Sequence, residues 1–310
     1  MLTDSLKDTI AFMRKEARMR AYAWGQRVGA RRGSANDRPR RPVFIVGCPR
    51  SGTTLLFELL AQHSDFRALP GEGHVIWNAY QHPRRKSWSS DRATAADVTP
   101  SERTFVYGAI RHVAGGYRYL DKTPKNVLKL PYLVSLFPDA QFVFIKRDGR
   151  ATVNSLIEGW SLRKGISYRL PEPLRLAEYQ GRFWSYVLPS GWREVRRSTI
   201  AHVAAAQYVA SNETAIDDIA SLSGGSVIEV SYEDLVSRPI DTSARLLELL
   251  ELRGSTEVLE FASHLDQHVS GALSTPRQDK WRDRVDQIER VLPIIGPTMK
   301  HLGYETEVVP

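Results

Sequence analysis

Short apolar runs alternate along this chain with longer segments of helical periodicity. Val43–Val46 is apolar throughout, and Gln141–Ile145 carries a second strong run. Phe66–Leu69, Tyr117–Leu120 and Ser226–Val230 read as three further strands. Between them the apolar spacing predicts helices over about Thr53–His63, from Thr99 to Gly115, over 125–137, Arg150–Trp160 and Ser198–Leu222. Two more follow in 240–263, and a last one over about 284–301. Thr99, Pro100 and Glu102 form a helix start, with Glu102 expected to close a capping box. This alternation predicts an α/β, three-layer fold of the P-loop type. Its central, mostly parallel sheet has about five strands, covered by helices on both faces.

Three stretches fall outside that pattern. Residues 5–30 place Leu6, Ile10, Met13, Ala17, Ala21, Trp24 and Val28 on one helical face, with Arg14, Lys15, Arg18 and Arg27 off it. Such a basic amphipathic helix can pack on its own protein, join a second copy in a homo-oligomer, or lie on an anionic membrane. Residues 31–42 read as a linker, so 1–42 stand apart from a main domain over 43–310. Residues 81–98 are polar and read as a surface excursion. Residues 161–193, with Pro171, Pro173 and Pro189, read as an irregular insertion on the substrate side.

Composition narrows the function. The 310 residues carry a net charge of +8, but residues 1–42 hold +7 of it, so the body is nearly neutral and nucleic acid is not an expected partner. A single cysteine, Cys48, rules out a disulfide framework and fits a reducing, cytoplasmic setting. No apolar run approaches the roughly 20 residues that span a bilayer, so any membrane association would come through residues 5–30.

The candidate chemistry starts where the first strand ends. Val43–Val46 runs into Gly47-Cys48-Pro49-Arg50-Ser51-Gly52-Thr53-Thr54, then a helix. This is a strand, an anion-binding loop and a helix N-terminus. Backbone N–H groups over 50–54 and the hydroxyls of Ser51, Thr53 and Thr54 would face a phosphate beside the Arg50 cation. In a triphosphate-binding loop a lysine follows Gly52; here Thr53 stands there. Lys146 and Arg147 crowd the one nearby acid, Asp148, which disfavours a metal. The loop therefore suits a 5′-phosphate bound without a metal. A P-loop kinase and a non-catalytic nucleotide-binding protein are the competing readings. Glu72, Lys122, Arg147 and Tyr232 each follow a predicted strand as well, which gathers them with the loop at one sheet edge.

Residues 47–56 resemble the 5′-phosphosulfate loop of sulfotransferases that use 3′-phosphoadenylyl sulfate (PAPS). Arg147-Asp148-Gly149-Arg150 through Ser155 is similar to that family's 3′-phosphate segment. Asp121-Lys122-Thr123-Pro124, Val230–Val236 and Lys280-Trp281 match further blocks in order, closest to the bacterial and tyrosylprotein branch. The resemblance runs from 43 to about 303. It implies PAPS as donor, no metal, and transfer of a sulfuryl group to a hydroxyl. A carbohydrate, glycolipid or small-molecule acceptor is favoured over a peptide tyrosine. It implies Arg50 and Lys122 as leaving-group cations, Arg147 and Ser155 at the 3′-phosphate, Tyr232 at the nucleotide and Lys280 over a phosphate. Glu72, with a raised pKa, is the expected base and His74 its rival. Two departures stand out. Gly73 replaces a second Glu of the family's block, and Gly159 stands where that branch often has Arg, with Arg163 as a candidate substitute.

Overall fold

The computed structural model describes residues 1–30, 38–265 and 279–306. The side chains of Trp24 and Val28, linker residues 31–37 and Ser274–Pro276 lie outside the described residues. In chain order the elements are β1 (Leu2–Thr3), α1 (Leu6–Ala30), β2 (Val43–Val46), α2 (Thr53–Leu60), β3 (Phe66–Arg67) and α3 (His74–Gln81). Then come α4 (Pro100–Ala114), β4 (Arg118–Lys122), α5 (Leu130–Leu136), β5 (Gln141–Lys146) and α6 (Gly149–Ser161). β6 (Ile166–Arg175), β7 (Tyr179–Ser185), α7 (Trp192–Val195) and α8 (Ile200–Ser221) follow. The chain closes with β8 (Ser226–Ser231), α9 (Tyr232–Ser237), α10 (Pro239–Leu249), α11 (Thr256–Ser263) and α12 (Val285–His301).

The central sheet has five strands in the order β3-β4-β2-β5-β8, all parallel. Ile45 pairs with Lys122 on one side of β2, and Val46 with Phe144 on the other. Residues of period two along β2 and β5 serve two separate cores. Phe44, Val46, Phe142 and Phe144 face one, with α4, α6, α8 and α12. Val43, Ile45, Val143 and Ile145 face the other, with α2, α10 and α11. A strand buried on both faces cannot afford polar positions, which is why these runs are continuously apolar. Parallel pairing sends every strand's carboxyl end to one edge.

The polar 81–98 segment is not a surface excursion. Asp91 is fully buried, accepting from the Tyr168 hydroxyl and from the Leu188 N–H at 2.7 Å. Arg92 makes a two-pronged pair with Asp218 on α8, at 2.6 Å for each contact. Its polar residues are tertiary fasteners, which local composition does not distinguish from solvated ones. Asp91→Ala strands a buried hydroxyl and a buried N–H, so it should lower unfolding stability by about 3 kcal/mol, read from urea denaturation. Glu102 also turns inward. Its N–H donates to the Thr99 hydroxyl at 3.2 Å, but its carboxylate accepts from Gln81 at 2.9 Å and Tyr132 at 2.7 Å instead of closing a capping box.

The 161–193 insertion is ordered. β6 and β7 form an antiparallel hairpin, and β1 adds to β7 in parallel. The register shifts between Arg169 and Leu174, a bulge that accommodates Pro171 and Pro173 inside the strand. Trp160, Trp184 and Trp192 pack edge to face beneath it and are buried. The N-terminal segment is tied to the same hairpin. Asp4 accepts from the Arg182 N–H at 2.7 Å and from the Tyr179 hydroxyl. α1 turns Phe12, Lys15, Glu16 and Met19 towards the body, and leaves Leu6, Ile10 and Met13 exposed. Among the described side chains, the face that packs is therefore not the apolar stripe.

Candidate active site

β2 delivers the anion loop. Gly47 lets the backbone pass close to β5, since a Cβ there would lie 2.5 Å from the Ile145 carbonyl oxygen. Arg50 and Gly52 take left-handed backbone angles, φ 75° and 96°. Gly52 starts α2 with no side-chain cap, so the first N–H groups of the helix lack the partner a capping side chain gives. An uncapped N-terminus behind a loop carrying Arg50, with Ser51 and Thr53 buried and Thr54 partly exposed, could hold an anion such as a phosphate. Cys48 is buried, and burial pushes its thiol up to about 12, so it is an inert packing residue.

β5 delivers Arg147. Its Nη1 donates to the Arg50 carbonyl at 3.0 Å, and its guanidinium lies 4.0 Å from the centre of the Tyr232 ring. Its Nε is buried with no partner. Among the described residues no carboxylate forms an ion pair with this half-buried Arg147, although Glu233 and Asp148 lie within electrostatic reach. Tyr232 follows β8 and packs on the loop, where a Cβ at Gly52 would come within 2.4 Å of its ring. Ser155, on α6, accepts from Arg50 Nε at 3.1 Å. Arg50, Arg147, Ser155 and Tyr232 are thus one cluster. Lys280 lies at the rim, where its ammonium binds both oxygens of Glu158 on α6, at 3.0 and 2.9 Å. Trp281 packs between the Arg150 and Arg282 guanidinium groups.

β3 and β4 supply the remaining groups. Lys122 ends β4 nearly buried and donates to Glu72 Oε1 at 3.0 Å. Glu72 Oε2 lies 2.6 Å from His74 Nε2. Burial alone would raise the Glu72 carboxyl, but His74 and Lys122 outweigh it, and the group sits well below the ordinary carboxylate range. The expected raised pKa is therefore corrected: two polar partners, one of them from another strand, hold the charge. Burial lowers the His74 pKa, so its ring is neutral at pH 7, donating from Nε2 with a buried, unpartnered Nδ1.

Asp121 explains the turn. It is buried, and burial raises its carboxyl to about 6 despite bonds from Thr123, Trp77, Tyr119 and Asn126. The Thr123 hydroxyl also accepts the Gly73 N–H at 2.8 Å, which pins the Glu72 turn to β4. A Cβ at Gly73 would lie 2.2 Å from Asp121 Oδ1. Residue 73 is glycine because this buried carboxylate occupies the room of a side chain.

Sequence reasoning missed the basic wall beside Glu72. Lys125 is buried with its ammonium 3.7 Å from the Tyr168 ring centre, and burial, opposed by Asp91, brings it down to about 7. Lys15, from α1, donates to the Ile166 carbonyl at 2.7 Å and lies within electrostatic reach of Glu72 and Lys125. Lys125 sits three residues past Lys122 in a legible motif. Lys15 had no signal beyond a charged helix. Arg163, the candidate substitute at Gly159, is engaged elsewhere: it pairs with Asp4 at 3.3 Å and Asp8 at 3.6 Å, and stacks on Tyr179. No group of His, Cys, Asp and Glu that could hold a metal occurs among the described residues.

A parallel α/β sheet with an anion-type loop, a second half-buried cation and a carboxylate–lysine pair at one edge is an arrangement suited to group transfer from an anionic donor. Comparison with known proteins narrows the class. The model of the sulfotransferase family matches residues 42–256, and the chain belongs to that family. It is a sulfotransferase. A putative protein-tyrosine sulfotransferase of Caenorhabditis briggsae is 25% identical over 281 residues, covering 85% of this chain and 89% of that one. Among solved structures, a sulfotransferase from Mycobacterium avium superposes with a TM-score of 0.57 at 15% identity, over 87% of this chain and 79% of that chain. The sulfotransferase domain of the Synechococcus olefin synthase gives 0.50 at 18% identity, over 88% and 97%. Both share the fold. Among the described residues, no helix is long and apolar enough to cross a membrane.

Proposed function

We propose that the protein transfers a sulfuryl group from PAPS to an acceptor hydroxyl and releases adenosine 3′,5′-bisphosphate. The observation that carries the donor assignment is Arg147, a half-buried guanidinium whose Nε is itself buried and unpartnered, clustered with Ser155 and Arg50. A donor with phosphates at both 5′ and 3′ positions supplies two anions; a triphosphate supplies one chain of them. The uncapped start of α2 and Arg50 would hold the 5′-phosphate, and Arg147 and Ser155 the 3′-phosphate. Lys280 would leave Glu158 to close over the bound nucleotide.

Glu72 is the base. Lys122 turns from Glu72 towards the departing phosphate oxygen and frees Oε1. That oxygen takes the acceptor's proton as the acceptor oxygen bonds to sulfur. The bond from sulfur to the 5′-phosphate oxygen breaks, and its electron pair stays with the phosphate, beside Arg50 and Lys122. His74 keeps its bond to Oε2 and orients the carboxylate.

The acceptor carries negative charge near its hydroxyl. Lys15 and the protonated share of Lys125 support this, since both lie within electrostatic reach of Glu72, whose own charge Lys122 already pairs. A tyrosine within an acidic peptide fits these features better than a neutral sugar, and protein tyrosine is the acceptor in the name of the Caenorhabditis briggsae relative. The test supplies ³⁵S-labelled PAPS without metal to a panel of an acidic tyrosine peptide, the same peptide with its acids neutralised, a simple phenol and a glycolipid. Label is expected in the acidic peptide above the rest. No label in any acceptor, with ATP–Mg²⁺ but not the bisphosphate raising the melting temperature, would replace this reading with a kinase.

A further inference from the structure

We propose that the Tyr186 hydroxyl is a ligand of the nucleotide's 3′-phosphate, brought over α6 from the end of the β6–β7 hairpin. This rests on the PAPS reading above. Tyr186 follows β7 with φ 64°, a left-handed conformation that bulky residues rarely adopt. Its N–H donates to the Gly165 carbonyl at 2.9 Å, which locks it there. Two glycines clear the space for its ring. A Cβ at Gly159 would lie 1.6 Å from the Tyr186 oxygen, and a Cβ at Gly165 would lie 2.5 Å from its ring. Backbone strain and two missing side chains thus converge on the position of one phenol.

That phenol has nothing to bond. Its oxygen is buried and has no hydrogen-bond partner, whereas buried tyrosine hydroxyls normally find one. Burial, reinforced by Glu158 and opposed by Arg50, raises its pKa, so it remains a proton donor at pH 7. The place it reaches is informative. Gly159 is four residues beyond Ser155 on α6, so the two positions share a helix face one turn apart. Side chains at that spacing stand about 5–6 Å apart, a gap that a single phosphate bridges with a hydrogen bond on each side. Ser155 already accepts from Arg50, whose carbonyl binds Arg147. Arg147 Nε is the second buried donor without a partner in this cluster. One anion would satisfy both.

Tyr186→Phe removes only the unpartnered oxygen, so melting of the free protein should be unchanged or slightly raised. Calorimetric titration with adenosine 3′,5′-bisphosphate and with adenosine 5′-monophosphate reads the role directly. The variant should bind the bisphosphate about tenfold more weakly, the loss expected for a hydrogen bond to a charged group, and bind the monophosphate as the wild type does. Gly159→Ala, which drives a methyl into the hydroxyl's position, should show the same selective loss. An unchanged preference for the bisphosphate in Tyr186→Phe, with that preference lost in Arg147→Ala, would overturn the tyrosine assignment and keep the donor reading. A wild-type protein that binds neither nucleotide would overturn both.

Discussion

Glu72→Gln should lower kcat on the order of 10²- to 10⁴-fold, the range lost with a general base, while affinity for adenosine 3′,5′-bisphosphate stays close to that of the wild type. Glutamine keeps the shape and can still accept from Lys122, but it cannot take a proton. The loss must therefore appear in turnover. The pH profile sharpens the test. His74 and Lys122 hold the Glu72 carboxyl well below the ordinary range against the upward push of burial. A group with a depressed folded pKa is ionised above that pKa and loses its charge as pH falls through it. The acidic limb of kcat/KM should consequently lie below the unperturbed glutamate value of about 4.3. The same charge contributes to stability above that value and is lost on acidification. Retention of wild-type kcat in Glu72→Gln, with the loss appearing instead in His74→Asn, would transfer the base role to His74.

Lys122→Met should lower kcat by roughly 10²- to 10³-fold, the size associated with one preorganised charge on a developing anion. Methionine preserves the buried stem, so the fold should survive. The second consequence lies in the pH profile. Lys122 is one of two polar partners holding Glu72 ionised, and its ammonium donates to Oε1 at 3.0 Å. Without it, the effect of burial gains weight and the Glu72 pKa rises. The acidic limb should move to higher pH in Lys122→Met, whereas Arg50→Met should leave it in place. A Lys122→Met enzyme with normal kcat would remove the lysine from the chemistry. One with reduced kcat and an unmoved limb would show that its bond to Glu72 does not persist in solution.

Much of the site was legible because phosphate chemistry constrains local sequence. An anion loop needs small residues, a strand before it and a helix after it, all within one contiguous stretch. Lys122, Arg147 and Tyr232 were found because each follows a strand of a parallel sheet. What local reading could not supply was the environment of each group. Glu72 appeared as a carboxylate at a strand end, and burial suggested a raised pKa. Its actual partners decide the opposite, since His74 lies two residues away but Lys122 comes from another strand, fifty residues on. Gly73 and Gly159 looked like departures from a pattern. Each is explained by a side chain distant in sequence, Asp121 for the first and Tyr186 for the second.

The apolar stripe of α1 carries the same lesson in reverse. Periodicity identified the helix, and the helix exists. Which face packs was settled by what the body offers: an aromatic contact between Phe12 and Phe183, and the Ile166 carbonyl for Lys15. The sequence by itself determined the class of fold and the five strands of the central sheet, with ends within two residues, because these follow from periodicity and backbone chemistry within a few residues. Tertiary structure alone decided the ionisation of Glu72, the engagement of Arg163 by Asp4 and Asp8, the burial of Asp91, and the arrival of Lys15 and Tyr186 from outside the main strands. Those depend on fields and contacts between residues far apart in the chain, which only the folded packing brings together.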